Sequence, residues 1–298
     1  MSSVTSSVLV TGALGQLGAA FLAQLPPGRV VGVDIDTLDI TREADVAAFV
    51  RDMRPSLIIN CAAFNDVDGA ELSPGRAALV NTEAVWTLAH AAREVGATLV
   101  HYSTDFVFDG ASDTPYVEED TPAPKSVYGT SKWLGEQAAA SVEHHYVLRL
   151  SSLYGGHTRK AGVDWILQKA GDDQPVRAFF DRTVSPSYVP DVVRMTLALV
   201  ERGAPCGLYH CGSTGWCTWS ELAAHILQRV GRPDLLQPIP FANSAPGATR
   251  PRHCALANQR LEREGLQPLH WRTALDDYLT RRVSAPISAS AARPPEGR

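Results

Sequence analysis

Apolar residues arrive in short continuous runs, separated by longer stretches in which they recur every three or four positions. The first run, Val8 to Val10, has the length of a strand buried on both faces. A glycine-rich turn follows, and then Leu17, Phe21, Leu22 and Leu25 recur at helical spacing. "RVVGVDID" predicts a second strand, and "READVAAFVRDMRPSLIINCAA" a helix ended by Pro55 and a strand over Leu57 to Asn60. "NTEAVWTLAHAAREVGATLVHYSTD" predicts a helix starting near Asn81 and closed by Gly96, then a strand over Thr98 to Tyr102. "KWLGEQAAASV" and "YVLRLSSLYG" add another helix and strand. Strands alternating with helices of this length imply an α/β fold, with a doubly wound parallel sheet covered on both faces.

After Gly155 the pattern becomes irregular, with short strands, helices and many prolines. This divides the chain into a sheet-bearing domain over 1–153 and a smaller α/β lobe over 154–283. Segments near 184–212 are expected to return to the main sheet. The tail 284–298 is small, polar and Pro-rich, which predicts disorder.

Composition narrows the function classes. A formal charge of −5, without a Lys/Arg cluster, argues against nucleic-acid binding. No apolar stretch approaches the roughly 20 residues needed to span a bilayer, and "MSSVTSS" has no secretory character. The five cysteines are odd in number and lack C-x-x-C spacing. Cys206, Cys211 and Cys217 fall close together, but without a recognisable ligand pattern no metal is expected. The expectation is a cytoplasmic protein with reduced thiols.

Five segments carry chemistry. "TGALGQLG" places Gly12, Gly15 and Gly18 between a predicted strand and a predicted helix, the context of a dinucleotide-binding turn of the Rossmann type. Glycines there let the backbone approach a pyrophosphate at the helix N-terminus. Asp34 ends the second strand, where a carboxylate can accept from an adenosine ribose; a solvated loop aspartate fits that position equally well. "NCAAF", Asn60 to Phe64, ends the third strand with small residues that suit either a flat cofactor or helix packing. In "HYSTDFVFDG", Ser103, Thr104 and Asp105 sit where ligands bind in open α/β sheets, although a hydroxyl there is often a helix cap. Tyr128 precedes Lys132 by four residues, so both share one helical face. An ammonium beside a phenol favours the phenolate and lowers its pKa.

Taken in order, TGALGQLG, DID, NCAAF, HYSTDFVFDG, YGTSK, RLSSLYG and RPRHCAL resemble an extended short-chain dehydrogenase/reductase, and within it the dTDP-4-dehydrorhamnose reductase family. The resemblance covers about Val8 to Leu279. It implies reduction of the 4-keto group of a nucleotide-activated, dTDP-linked 4-keto-6-deoxysugar by NADPH or NADH. Tyr128 would donate the proton, Lys132 would bind the nicotinamide ribose and tune the phenol, and Thr104 would bond the reacting oxygen. Gly12, Leu14, Gly15 and Gln16 would carry the pyrophosphate loop, and Asp34, Asp39 and Ile40 would surround the adenosine. Ala62, Ala63 and Phe64 would line the cofactor, with Tyr102 beside it. Asp105 would lie next to the sugar, and Arg250 would meet the diphosphate. Two stretches depart from the family pattern. Ser152 stands where relatives carry a substrate-packing tryptophan, and "DRTVSPSY" replaces a "DQ.G.PT" motif. Other readings are a non-catalytic regulatory subunit that binds the same ligands and a sugar-nucleotide epimerase. The expected partner is a small-molecule nucleotide sugar, not nucleic acid or membrane, with room for a homodimer.

Overall fold

The computed structural model describes residues 7–158, 161–241 and 247–284. Its first half runs β1 (Val8–Thr11), α1 (Gln16–Gln24), β2 (Val30–Val33), α2 (Glu43–Met53), β3 (Leu57–Asn60), α3 (Val67–Leu72) and α4 (Pro74–Ala78). A π turn (Leu79–Glu83) joins α4 to α5 (Ala84–Val95), followed by β4 (Thr98–Thr104), α6 (Val127–Ala140) and β5 (His145–Leu150). The second half holds α7 (Gly162–Gly171), β6 (Val176–Phe179), β7 (Thr183–Val184), α8 (Val189–Arg202), β8 (Gly207–His210) and β9 (Cys217–Thr218). It ends with α9 (Trp219–Arg229), β10 (Leu236–Ile239), β11 (His253–Cys254), α10 (Gln259–Arg263) and α11 (Trp271–Ser284).

Six strands form one parallel sheet in the order β2-β1-β3-β4-β5-β8. Its central strands are apolar on both faces because both faces are covered. Val8, Val10, Ile59, Val100 and Leu148 pack toward Phe21 of α1 and Val192, Met195 and Leu199 of α8. Leu9, Ile58, Leu99 and Val147 pack the other way, against Val46, Val50, Leu88 and Ala92 of α2 and α5. Burying a valine or leucine side chain contributes about 1.5–3 kcal/mol, so both layers stabilise the central strands. The doubly wound α/β class expected from the sequence is the one observed. Two small sheets, β10-β6 and β11-β7-β9, lie in the second half of the chain.

From β1 the chain turns to β2 on one side and then crosses to β3 on the other. At such a reversal a crevice opens beyond the carboxyl ends of the strands. Helix α6 lies against β4 and β5 on the α5 side, capped by Ser126, whose hydroxyl accepts from Gly129 N at 3.1 Å. It comes unusually close to the π turn, because a Cβ on Gly135 would stand 2.2 Å from the Asn81 carbonyl oxygen.

Two element boundaries differ from the sequence reading. The helix expected from Asn81 begins at Pro74 and passes through the π turn, so Asn81 lies inside it. The strand expected to end at Tyr102 continues to Thr104, which carries Ser103 and Thr104 into the buried sheet. Of the expected tail, 285–298 lies outside the described residues. Among the described residues no helix is long and apolar enough to cross a membrane.

Candidate active site

The glycine turn is built by backbone constraint. Gly12 has φ +63°, and a Cβ there would stand 2.6 Å from Ala62 N. Any other residue would be strained and would also push β1 and β3 apart. Beyond the turn, Gly15 precedes α1 and offers no side-chain cap, and the first turn of the helix holds no acidic residue. Its first N–H groups and the positive end of the helix dipole are therefore available to an anion.

Asp34 closes the loop from the neighbouring strand. Its Oδ2 accepts from Leu14 N and its Oδ1 from Ile35 N, both at 2.9 Å. Asp39 accepts from the Thr41 N–H and hydroxyl, which hold its carboxyl below the usual range. These groups surround a cavity of 450 Å³ with Ile40, Ala62, Ala63 and Phe64 on its walls. A second cavity of 310 Å³ shares Gly15, Cys61, Ala62 and Ala63 with the first and continues to Thr104, Tyr128 and Lys132. The two make one trough from Asp39 to Tyr128, within the usual volume range of cofactor sites. Gln16 lines this trough, and its Oε1 is sealed from solvent without a partner in the protein. An extended dinucleotide fits this donor set: N–H groups for a diphosphate in the middle, carboxylates at one end, and a flat wall at the other.

At the inner end, Lys132 donates to the Tyr102 carbonyl at 2.5 Å. Burial lowers its pKa to about 8, against the opposing pull of Glu136 and Cys61. Tyr128 moves the other way. Burial raises its phenol to about 12, the Thr104 hydroxyl draws it back, and the Asp105 carboxylate adds to the rise. The lowering by Lys132 expected from their spacing is not found; desolvation sets the phenol. Thr104 donates to Asp105 Oδ1 at 3.1 Å, and Ser151 donates to Asp105 Oδ2 at 2.8 Å. Burial raises the Asp105 pKa in spite of these donors.

The structure brings most of the expected residues together. Gly12, Leu14, Gly15, Asp34, Asp39, Ile40, Ala62, Ala63 and Phe64 line the first cavity; Gln16, Tyr102, Thr104, Tyr128, Lys132 and Ser152 line the second. Tyr102 turns its hydroxyl away to Thr196 of α8, 2.8 Å off, and offers its carbonyl to Lys132. Ser152 sits just past β5 at φ +48°, a left-handed conformation that non-glycine residues seldom adopt. Asp105 lies behind Thr104 and lines neither cavity. Arg250 stands apart, gripping Asp68 of α3 through both terminal nitrogens.

Several groups were missed in the sequence. Asn81, on the π turn, accepts from Phe64 N at 2.8 Å and donates to Phe64 O and to the Ser131 hydroxyl. It fixes the cofactor-side wall to α6 one turn from Tyr128. Below the trough, Thr11 donates to Asn60 Oδ1, and the Asn60 amide bonds His101 Nδ1 at 3.1 Å. Burial and the Lys132 charge hold His101 neutral. The signal for Asn81 was present in Ser73-Pro74, a helix-start pair eight residues upstream of the expected start. Among the described residues no group of three His, Cys, Asp or Glu side chains is placed to hold a metal ion.

The family model of the RmlD substrate binding domain matches residues 6–284. The chain is similar to dTDP-4-dehydrorhamnose reductase of Streptomyces griseus, with 37% identity over 90% of this chain and 91% of that protein. It is also similar to the spore coat polysaccharide biosynthesis protein SpsK of Bacillus subtilis, with 33% identity over 94% and 99% of the two chains. Among solved structures, that of dTDP-4-dehydrorhamnose reductase from Bacillus anthracis in complex with NADP aligns at a TM-score of 0.88. Its identity is 32%, covering 93% of this chain and 99% of the other.

Proposed function

The chain belongs to the RmlD substrate binding domain family, and on that footing we propose that it reduces the 4-keto group of a dTDP-linked 4-keto-6-deoxysugar with NADPH or NADH. The observation that carries this reading is a single trough that joins a dinucleotide cradle to Thr104, Tyr128 and Lys132. The reduced nicotinamide, when bound, supplies the hydride for C4 of the sugar. Tyr128 holds the proton for the developing alkoxide, and at about 12 its phenol stays protonated at neutral pH. Lys132, at about 8, is charged at pH 7 and helps hold that end of the site positive as the proton leaves. Thr104 orients the reacting oxygen, backed by Asp105 and Ser151.

In this reading residues 1–153, with returning segments near 184–212, hold the cofactor, and 154–283 hold the nucleotide sugar. The pairing of β8 with β5 supports the first assignment. The reading is of a cytoplasmic enzyme, with room for a homodimer.

The test is incubation with dTDP-4-keto-6-deoxyglucose, with and without a companion epimerase, following nicotinamide absorbance. Cofactor binding without turnover under either condition would turn the reading to the regulatory subunit. Epimerisation would need an acid/base pair on opposite ring faces. Cys61 lines the inner cavity, but burial pushes its thiol well up, which unfits it as a base, and among the described residues no His, Asp or Glu side chain lines that cavity beside it. Pure reduction is therefore expected: in D₂O with unlabelled cofactor, product NMR should show no enzyme-dependent deuterium at C3 or C5.

A further inference from the structure

Three arginines meet around β7 and β11, and they are not equivalent. Arg250 holds Asp68 through two bonds of 2.9 and 2.7 Å, and Arg252 reaches Asp181 at 2.8 Å. Arg182 is the most buried of the three, at 9% exposure, yet no carboxylate lies within ion-pair distance of it among the described residues. Its Nε donates to the Pro251 carbonyl at 3.2 Å. The guanidinium lies 5.2 Å from the Phe241 ring and 5.9 Å from the Phe106 ring.

Among the described residues the terminal nitrogens of Arg182 meet no oxygen acceptor, and the Cys254 sulfur, a weak acceptor, lies beside the guanidinium. Unlike Arg149, whose Nη1 is sealed without a partner, Arg182 keeps part of its surface exposed. A guanidinium drawn out of water without a hydrogen-bonded anion is costly. Here the cost is compounded by Arg250, whose charge also bears on Arg182, while Asp105 relieves it only at a distance. The Phe106 ring that flanks Arg182 packs edge-on against Tyr128, 5.7 Å between centroids. An anion on the free fork would therefore lie one ring away from the reacting groups.

We propose that Arg182 receives the diphosphate of the nucleotide sugar, and that Arg250, tied to Asp68, frames this site instead of making the principal anion contact. The inference rests on the sugar-nucleotide reading, in which the substrate carries its negative charge on that diphosphate. A planar fork accepts two phosphate oxygens at once, and the flanking rings keep it from turning to water.

Calorimetric titration of the full chain with dTDP and with thymidine tests it. Arg182→Gln should weaken dTDP binding about tenfold or more and leave thymidine and NADH binding within twofold. Arg182→Lys keeps the charge but loses the fork, and should weaken dTDP about threefold or more; it serves if the glutamine variant fails to fold. Unchanged dTDP affinity in either folded variant overturns the proposal. If the wild type turns over the keto sugar while those affinities stay equal, only this inference fails. If the wild type binds neither dTDP nor the keto sugar, the functional reading fails with it.

Discussion

Around the glycine turn, positions are set by the main chain: Gly12 against Ala62, Leu14 N–H on Asp34, and first-turn N–H groups left open by Gly15. Around Arg182 they are set by side chains from distant parts of the sequence. Asp68 meets Arg250 across 182 positions, and Asp181 meets Arg252 across 71. The first kind of site tolerates almost no substitution at its few fixed points, because no rotamer can relieve a backbone clash. The second kind spreads its function over flexible groups, so single changes there should alter recognition while the fold survives.

The seam between the two regions should show the largest effect. Tyr128→Phe removes the proposed proton donor and should lower kcat by about 10²-fold or more, with NADH affinity within twofold. A variant that keeps half the wild-type kcat would take Tyr128 out of the mechanism. Gly12→Ala attacks the main-chain side directly. Its methyl meets backbone at 2.6 Å and its φ is unfavourable, so the NADH dissociation constant from fluorescence titration should rise about tenfold or more. Normal NADH binding would show that the turn is less rigid than its geometry.

The pH dependence should follow Lys132. Activity that needs its charge is full below pH 8 and should fall about tenfold per unit as pH rises beyond 8, read as kcat/KM of the free enzyme. Folding responds with the opposite sign. Between about 8 and the ordinary lysine value, the unfolded chain binds a proton that the folded chain has lost, so this group's contribution to stability rises with pH. A flat kcat/KM up to pH 10 would contradict the assignment. Asp68→Ala should give the smallest change. The pair it breaks is partly exposed, with side chains 32% and 51% accessible, so stability should fall by about 0.2–1 kcal/mol. KM for the nucleotide sugar should rise a few-fold while NADH binding holds; an equal loss of both would erase the contrast between the two regions.

The same contrast explains what could be read from the sequence. TGALGQLG and Tyr128-x-x-x-Lys132 are local patterns whose spacing already states their geometry, and the structure places both in one trough. Asp34 could be placed because it ends a strand. Arg182 could not, since its meaning depends on Phe106, Phe241 and Pro251 arriving beside it from three other segments. Asn81 was hidden for another reason: inside a helical pattern, nothing in its neighbours' polarity marks a turn of the wrong pitch. The shift of Tyr128 was misjudged because spacing along α6 says nothing of how completely the phenol is removed from water.

The π turn at Leu79–Glu83 also makes chain length itself a fixed quantity. Deleting one residue there would let an ordinary helix run through, and each residue counts for about 100° of rotation and 1.5 Å of rise. Leu88, Ala89 and Ala92 would swing off the sheet, or else α4 and the Asn81 carbonyl under Gly135 would. Among sequences that keep this trough, the stretch from Pro74 to Gly96 should vary in letters but not in number.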